Sequence, residues 1–204
     1  MVRVKICGLT NPADALAAAQ AGADALGFVF APSPRRVTAQ AAREIIAQMP
    51  PLVATVGVCK DAPLAEVLEL RRFCGLDWVQ LCGAEDDAYI AACVAACGPR
   101  VIRTVPVADA PPDPDAHPQA QLLLDAAGPQ GGGGGRAFDW SLAAAVAARR
   151  PIILAGGLNP ANLRQAIAVA RPYAVDVSSG VEAAPGRKDH ELVRRFIATA
   201  KLLG

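Results

Sequence analysis

The sequence has no uninterrupted apolar run near the ~18 residues that a membrane-spanning helix needs. Its first residues, Met1–Cys7, alternate charged with apolar side chains and lack the apolar centre of a signal peptide. We therefore expect a cytoplasmic protein that is not inserted in a membrane.

The sequence also lacks an excess of charge of either sign. The 20 lysines and arginines are offset by 19 aspartates and glutamates, which leaves a formal net charge of +1. The basic residues are not massed in any one segment, and a surface that binds nucleic acid or an anionic membrane usually needs such a concentration. We expect neither kind of partner.

Metal-binding patterns are missing as well. The chain has two histidines and six cysteines, and no Cys-x-x-Cys pair occurs. Cys93 and Cys97 lie four residues apart on a predicted helix, but no histidine accompanies them or Cys82, so a zinc site is not expected. The cysteine spacing is not that of a small disulfide-stabilised domain, and we expect reduced thiols.

Short apolar runs alternate with helical stretches rich in alanine and leucine along the chain. Hydrophobic residues make up 53% of the composition, enough for a large core. The predicted strands are Val2–Cys7, Ala25–Phe30, Leu52–Val58, Trp78–Leu81, Val101–Val105, Gln121–Asp125, Pro151–Ala155 and Ala174–Ser178. The predicted helices are Ala13–Ala21, Ala39–Gln48, Leu64–Phe73, Asp86–Ala96, Trp140–Ala148, Pro160–Ala170 and His190–Lys201. Several strands are continuous Val/Ile/Leu runs, which is typical of parallel strands covered on both faces.

This alternation predicts an α/β fold that is either a closed barrel or an open doubly wound sheet. The first strand is followed by Cys7-Gly8-Leu9-Thr10 and not by a dinucleotide-binding glycine fingerprint. Phosphate-type glycines occur instead after the seventh and eighth strands, their usual place in a barrel. We predict one domain over residues 1–204, a (β/α)8 (TIM) barrel.

The segment between the fifth and sixth strands is unusual. It contains Pro111, Pro112, Pro114 and Pro118, and each proline removes a backbone donor and clashes with the preceding helical turn. A loop should therefore replace the fifth helix. The segment could also be an interdomain linker, but each half of the chain would then be too small to close a barrel.

Two glycine-containing turns predict a phosphate site. Gly156-Gly157 follows the seventh strand, and Ser178-Ser179-Gly180 follows the eighth. Either turn alone could be an ordinary helix cap. Together they match the barrel phosphate site, in which backbone amides and a short helix amino terminus bind the dianion.

The run Gly131–Gly135 follows the sixth strand. Its composition is that of a flexible linker. Its position on the carboxyl side of a barrel strand favours a loop that closes over a phosphorylated sugar.

Cys7 and Asp125 end the first and sixth strands and are the candidate base and acid. A cysteine at the end of an apolar strand is often a small packed side chain. At a barrel mouth near cationic groups, its thiol can lose a proton and act as a base. A partly buried carboxyl group such as that of Asp125 can act as a general acid, although it could also cap a turn.

Arg35 and Arg36 follow the second strand, on the rim where the other candidates lie. A surface pair of arginines is usually solvated. One of these two could bind a substrate carboxylate through the two-pronged guanidinium group.

The motifs together resemble the phosphoribosylanthranilate isomerase family, in order and spacing, from residue 2 to about residue 201. The most specific are Lys5-Ile6-Cys7-Gly8 at the start and Asp176-Val177-Ser178-Ser179-Gly180-Val181-Glu182 at the end. Between them lie Gly27–Phe30, Ser33-Pro34-Arg35, Val79-Gln80-Leu81, Leu123-Leu124-Asp125, Phe138-Asp139-Trp140 and Ala155–Pro160, with Pro185-Gly186 and Lys188-Asp189 after them.

The resemblance implies an isomerase of tryptophan biosynthesis that carries out an Amadori rearrangement without a cofactor. Its general base falls on Cys7, its general acid on Asp125, and its anthranilate-binding arginine on Arg35, with Arg36 an adjacent alternative. The phosphate would be bound around Gly156, Gly157, Ser178, Ser179 and Gly180, and Asp176 would lie near the substrate. The implied partner is a small phosphorylated aminosugar, bound by a monomer or a homodimer.

The chain departs from the family pattern at two positions near the predicted mouth, besides the proline segment. Cys82 stands where a histidine is usual after Val-Gln-Leu, and the glycine loop runs to Arg136 instead of a hydroxyl residue and lysine. Two other functions stay open. An aldose–ketose isomerase of the histidine-biosynthesis type would have aspartate in place of Cys7, and a noncatalytic phosphate-binding barrel would need neither acid nor base.

Overall fold

The computed structural model describes residues 1–127 and 138–203. Ten strands occur in them: β1 Arg3–Cys7, β2 Ala25–Val29, β3 Ala54–Cys59, β4 Trp78–Leu81, β5 Val101–Val107, β6 Gln121–Ala126, β7 Ile152–Leu154, β8 Ala174–Val177, β9 Glu182–Ala184 and β10 Arg187–Lys188. The α-helices are α1 Pro12–Gln20, α2 Ala39–Ile46, α3 Leu64–Cys74, α4 Asp87–Cys97, α5 Trp140–Ala147, α6 Leu163–Ala170 and α7 His190–Leu202. A 3₁₀ turn, Ser179–Val181, follows β8.

Strands β1 to β8 pair in sequence order and form a closed parallel barrel, in which β1 also pairs with β8. The barrel fold predicted from the sequence is therefore confirmed, and the open sheet is excluded. Parallel pairing brings all eight carboxyl ends to one rim, called the mouth here, where the active sites of this fold lie.

Alternate residues of each strand point into the barrel. Its interior contains a cluster of apolar side chains from five of the strands, including Val56, Ile102, Leu123 and Ile153. A larger apolar layer lies between the outer faces of the strands and the helices. Since Asp125 lies two residues beyond Leu123, it shares the inward side of β6.

No helix forms between β5 and β6, as the prolines predict. The connecting loop is instead bound by the guanidinium group of Arg150, which donates hydrogen bonds to the carbonyl oxygens of Pro114, Ala116 and Ala120 at 3.3, 3.0 and 2.5 Å. One long cationic side chain thus satisfies carbonyl groups that a helix would have paired internally.

The predicted start of the sixth helix at Pro160 was wrong, because α6 begins at Leu163. The side-chain oxygen of Asn159 accepts hydrogen bonds from the amides of Ala161 and Asn162, at 2.9 and 3.2 Å. Asn159 therefore closes a separate turn before the helix, and the proline lies within this turn.

Strands β9 and β10 form a small antiparallel hairpin beside the mouth. The hydroxyl group of Thr10 donates a hydrogen bond of 2.5 Å to the carbonyl oxygen of Gly186. The amide of Lys188 donates one of 2.8 Å to the carboxylate of Asp14. These bonds join the hairpin to the loop after β1 and to α1.

Candidate active site

Cys7 ends β1 at the mouth, and only 7% of the residue is exposed. Glycine at position 27 of the neighbouring strand makes room for it, since a Cβ atom there would lie 2.8 Å from the Cys7 sulfur. Burial raises the pKa of the thiol, the Lys5 ammonium group opposes that rise, and the Asp176 carboxylate adds to it. The cation beside the thiol is the feature that a cysteine base needs.

Lys5 lies two residues before Cys7 and points to the same side of β1. Its ammonium nitrogen donates a hydrogen bond of 2.9 Å to Asp176 on β8, and both side chains are buried. Burial by itself lowers the pKa of Lys5, but Asp176 and Cys7 outweigh it, and the pKa is raised overall. Lys5 is therefore charged. The predicted substrate neighbour Asp176 is placed under the thiol, where it compensates this charge.

Asp125 lies in β6, half-buried at the mouth. Its carboxylate accepts a hydrogen bond of 2.8 Å from the amide of Ala126. A Cβ atom at Gly156 would lie 3.2 Å from the same carboxylate oxygen. The carboxyl group thus lies beside the glycine turn after β7, at the same rim as Cys7.

Arg35 extends across the mouth and is held by Glu182 of the hairpin. Its Nε and Nη2 atoms donate to the two Glu182 carboxylate oxygens, both at 2.8 Å. Glu182 also accepts a hydrogen bond of 2.9 Å from the buried ammonium group of Lys188. Arg36 is exposed, and Arg35 is the arginine that the fold brings to Cys7 and the hairpin.

The turns after β7 and β8 pack against each other. Gly156 and Gly157 have φ angles of +82° and +65°, a conformation that glycine adopts without strain. A Cβ atom at Gly180 would lie 1.9 Å from the carbonyl oxygen of Leu158, so only glycine fits there. Within residues 1–127 and 138–203, the buried hydroxyl oxygen of Ser178 has no hydrogen-bond partner. A buried hydroxyl group without a partner is one that a ligand could satisfy.

Cys82, which replaces the usual histidine, lies half-buried after β4. Its thiol donates to the carbonyl oxygen of Cys59 at 3.1 Å, and burial raises its pKa to about 11. The thiol is therefore protonated at neutral pH, and the position carries no charge.

Sequence reasoning missed a buried ion pair that joins the loops after β3 and β4. Arg103 of β5 contacts Glu85 at 2.7 Å and donates to the carbonyl oxygen of Gly83 at 2.9 Å. Glu85 also accepts a hydrogen bond of 2.9 Å from the amide of Asp61. A lone arginine inside the apolar run Val101–Val107 was the signal that could have revealed it.

Lys5, Glu182 and Lys188 were also missed, although all three stand inside the quoted motifs. The i, i+2 spacing of Lys5 and Cys7 on one strand was a usable signal for a shared side. The partners of Glu182 and Lys188 are set by tertiary contacts. The Gly131–Gly135 loop and Arg136 lie outside the described residues. No helix in the described part of the chain is long and apolar enough to cross a membrane.

Fold and site together define a class: a (β/α)8-barrel protein whose mouth gathers a thiol, a carboxyl group, an oriented arginine and two glycine turns, an arrangement suited to proton transfer on an anionic substrate. The family model described as N-(5'-phosphoribosyl)anthranilate (PRA) isomerase matches residues 4–199.

Individual relatives agree with this match. An N-(5'-phosphoribosyl)anthranilate isomerase of Geobacter metallireducens is 51% identical, over 98% of this chain and 100% of the relative. A crystal structure of phosphoribosyl anthranilate isomerase from Thermus thermophilus has a TM-score of 0.91 and 41% identity over the full length of both chains. Another, in complex with reduced 1-(o-carboxyphenylamino)-1-deoxyribulose 5-phosphate, has a TM-score of 0.86 and 40% identity, again over both full lengths.

The chain therefore belongs to the N-(5'-phosphoribosyl)anthranilate isomerase family. This confirms the resemblance that the sequence motifs indicated. It also confirms the prediction that the chain is an enzyme of the isomerase class. It also decides against the histidine-type isomerase and the noncatalytic barrel.

Proposed function

We propose that this chain converts N-(5'-phosphoribosyl)anthranilate into 1-(2-carboxyphenylamino)-1-deoxyribulose 5-phosphate in tryptophan biosynthesis, with Cys7 as general base and Asp125 as general acid. The observation that carries the assignment of roles is their placement: both side chains lie on the inward side of their strands, at the carboxyl ends that form the mouth. Strands β7 and β8 separate β1 from β6, so a small sugar can lie between the two groups.

The reaction begins at Asp125. Its carboxyl group gives a proton to the ribose ring oxygen, the bond from that oxygen to C1 breaks, and the nitrogen lone pair forms a C1=N Schiff base. This step needs a proton donor beside the ring, which the half-buried carboxyl group supplies.

Cys7 then acts on C2. Its thiolate removes the C2 proton, the electron pair moves toward the nitrogen, and an enolamine results. Loss of the enol proton and protonation of C1 give the ketone. Lys5 stabilises the thiolate during this step, because its charge lies beside the sulfur and is maintained by Asp176.

The two anionic ends of the substrate have separate binding groups. The turns around Gly156, Gly157, Ser178, Ser179 and Gly180 would bind the phosphate, a role supported by the partnerless Ser178 hydroxyl among the described residues and by the close packing of the two turns. Arg35 would bind the anthranilate carboxylate.

The test is steady-state kinetics, following the loss of phosphoribosylanthranilate fluorescence. We expect Cys7→Ser and Asp125→Asn each to lower kcat by about 10²–10⁴-fold, the range that one acid or base contributes. The free energy of unfolding should stay unchanged in both variants. Cys74→Ser is the matched control, since Cys74 is also buried and its thiol donates to the carbonyl oxygen of Ala39.

Growth provides a second readout. The wild-type chain and the Cys74→Ser variant should restore growth to a tryptophan-requiring strain that lacks this isomerase. Turnover close to wild type in either the Cys7 or the Asp125 variant would refute the assigned role, while absence of turnover by the wild-type chain would refute the reaction itself.

A further inference from the structure

The guanidinium group of Arg35 is held in one orientation. A guanidinium offers two edges for bidentate binding, one formed by Nε and Nη2 and the other by Nη1 and Nη2. Glu182 occupies the first edge with two hydrogen bonds of 2.8 Å. Because the group is planar, this contact also sets the direction of the second edge, the one left to receive another carboxylate.

Glu182 is itself held from behind. Its carboxylate accepts hydrogen bonds from the ammonium group of Lys188 at 2.9 Å and from the amide of Gly186 at 3.4 Å. The Lys188 side chain is fully buried and that of Glu182 is 5% exposed. Burial alone would raise the pKa of Glu182, but Arg35 and Lys188 outweigh it and the pKa is lowered, so the carboxylate is charged at neutral pH.

Lys188 continues the chain of contacts to the turn after β8. Its ammonium group donates a hydrogen bond of 3.1 Å to the carbonyl oxygen of Ser178. Its own backbone is bound to the carboxylate of Asp14. Arg35, Glu182, Lys188 and Ser178 thus form one connected series from the carboxylate-binding arginine to the proposed phosphate turn.

The stem of Arg35 is confined as well. A Cβ atom at Gly8 would lie 2.5 Å from Cδ of Arg35 and 2.9 Å from the Ser178 hydroxyl oxygen. The side chain therefore passes directly over the glycine that follows Cys7. With its stem and one edge both restrained, the guanidinium group keeps little rotational freedom to lose on binding.

We propose that Glu182, anchored by Lys188, is a positioning residue for substrate specificity: it aims Arg35 at the aromatic carboxylate and sets the spacing between that carboxylate and the phosphate. This inference rests on the proposed function. Glu182 does not touch the substrate. It acts by removing the need to order a long side chain when the ligand binds and by keeping the two anion sites in register.

The experiment compares two probes by isothermal titration calorimetry. One is reduced 1-(o-carboxyphenylamino)-1-deoxyribulose 5-phosphate, and the other is the same compound without its carboxyl group. The ratio of their affinities measures what the carboxylate contributes. In Glu182→Gln an amide nitrogen replaces one of the two carboxylate oxygens and cannot accept from Arg35, so at most one of the two hydrogen bonds to the guanidinium group remains.

We expect this ratio to fall about tenfold in Glu182→Gln, the cost of re-ordering one long side chain, while the affinity for the probe without the carboxyl group stays within about twofold. KM should rise more than kcat falls. In Arg35→Met the two affinities should be about equal, so that the ratio is near one. Adding Glu182→Gln to Arg35→Met should leave the ratio unchanged. Glu191→Gln is the matched control, because Glu191 forms an exposed pair with Arg194 on α7.

Lys188→Met removes the anchor of Glu182 and replaces the Glu182→Gln experiment if that variant does not fold. It should also lower the ratio, by a smaller factor. An unchanged ratio in folded variants overturns the inference, as does an equal loss of affinity for both probes, which a merely structural role would produce. If the wild-type chain binds neither probe, the proposed function is refuted. If the wild-type chain prefers the carboxylated probe and Glu182→Gln keeps this preference, only the present inference is refuted.

Discussion

The ammonium nitrogen of Lys5 lies 2.9 Å from a carboxylate oxygen of Asp176, inside the barrel and beside the thiol of Cys7. A buried ion pair of this kind contributes little net stability, because desolvation of both charges offsets their attraction. Its position favours a chemical role. The cation stabilises the thiolate form of Cys7, and the carboxylate keeps the lysine charged.

Replacing Lys5 by methionine should shift the pH dependence of catalysis. A thiol base works only when deprotonated, so kcat/KM rises with pH up to the pKa of Cys7, which burial has already raised. Loss of the nearby cation, which opposes that rise, raises the pKa of Cys7 further. The rising limb should move to higher pH by the same amount. Activity at neutral pH should then fall about tenfold per unit.

The measurement is kcat/KM against pH, together with the thiolate ultraviolet absorbance of each protein minus that of its Cys7→Ser counterpart. The double variant Lys5→Met/Asp176→Asn does not leave an unpaired buried carboxylate. Its pH profile should shift in the same direction but by less, because Lys5 affects the pKa of the thiol more than Asp176 does. The other groups that act on Cys7 electrostatically, Lys188, Arg35 and Cys82, stay in place. Lys201→Met, which breaks the Lys–Asp pair to Asp24, is the control, and a limb that does not move would show Lys5 to be structural only.

Gly8→Ala should impair substrate binding beyond its effect on folding. Gly8 has a φ angle of +75°, so alanine costs about 1–2 kcal/mol of backbone strain. The new Cβ atom would also displace Arg35, whose Cδ lies 2.5 Å from that point. We expect a higher KM and a Tm lowered by a few degrees.

Gly75→Ala is the matched control for this prediction. Gly75 caps α3 at a φ angle of +70°, and nothing lies within 4 Å of the place where its Cβ would stand. It should lower Tm similarly and leave KM unchanged. Equal KM values in the two variants would contradict the assigned position of Arg35 over Gly8.

Asp24→Asn should destabilise the protein at neutral pH without affecting turnover. Asp24 follows α1 at the amino-terminal end of the barrel and accepts hydrogen bonds from Arg3 at 2.7 Å, from the amide of Val4 at 2.8 Å and from Lys201. Burial by itself would raise its pKa, but these three groups outweigh it and the pKa is lowered. A carboxyl group with a lowered folded-state pKa stabilises the fold above its unfolded pKa, and that stability is lost as pH falls through the folded value.

Urea unfolding at several pH values measures this effect. At neutral pH the variant should be less stable by on the order of 1 kcal/mol, after allowance for partial solvent exposure. The difference should begin to shrink below about pH 4, where the carboxyl group of the unfolded chain takes up a proton, and the contribution of the charge is lost as pH falls through the lowered folded-state pKa. Asp115→Asn, at an exposed pair with Arg149, should behave like wild type. A difference that persists unchanged in acid would assign the effect to packing and not to charge.

Local sequence signals were sufficient for the elements of the fold. Apolar runs such as Leu122–Leu124 predict buried parallel strands, and the prolines of the fifth connection predict a loop, because both signals are carried by residues that are adjacent in the sequence. The start of α6 was misplaced because Pro160 suits the first turn of a helix and an Asn-capped turn equally well.

The sequence by itself determined the alternation of strands and helices, the strand ends that carry Cys7 and Asp125, and the glycine turns after β7 and β8, whose position favoured the barrel. Only the tertiary structure decided which charges meet. Lys5 and Asp176 are 171 residues apart, and Arg35 and Glu182 are 147 apart. Each pair forms when closure of the barrel joins its first strand to its last and brings the hairpin over the mouth. Periodicity and capping report on a few adjacent residues, whereas the pairing of buried charges depends on ring closure and burial, which no local pattern encodes.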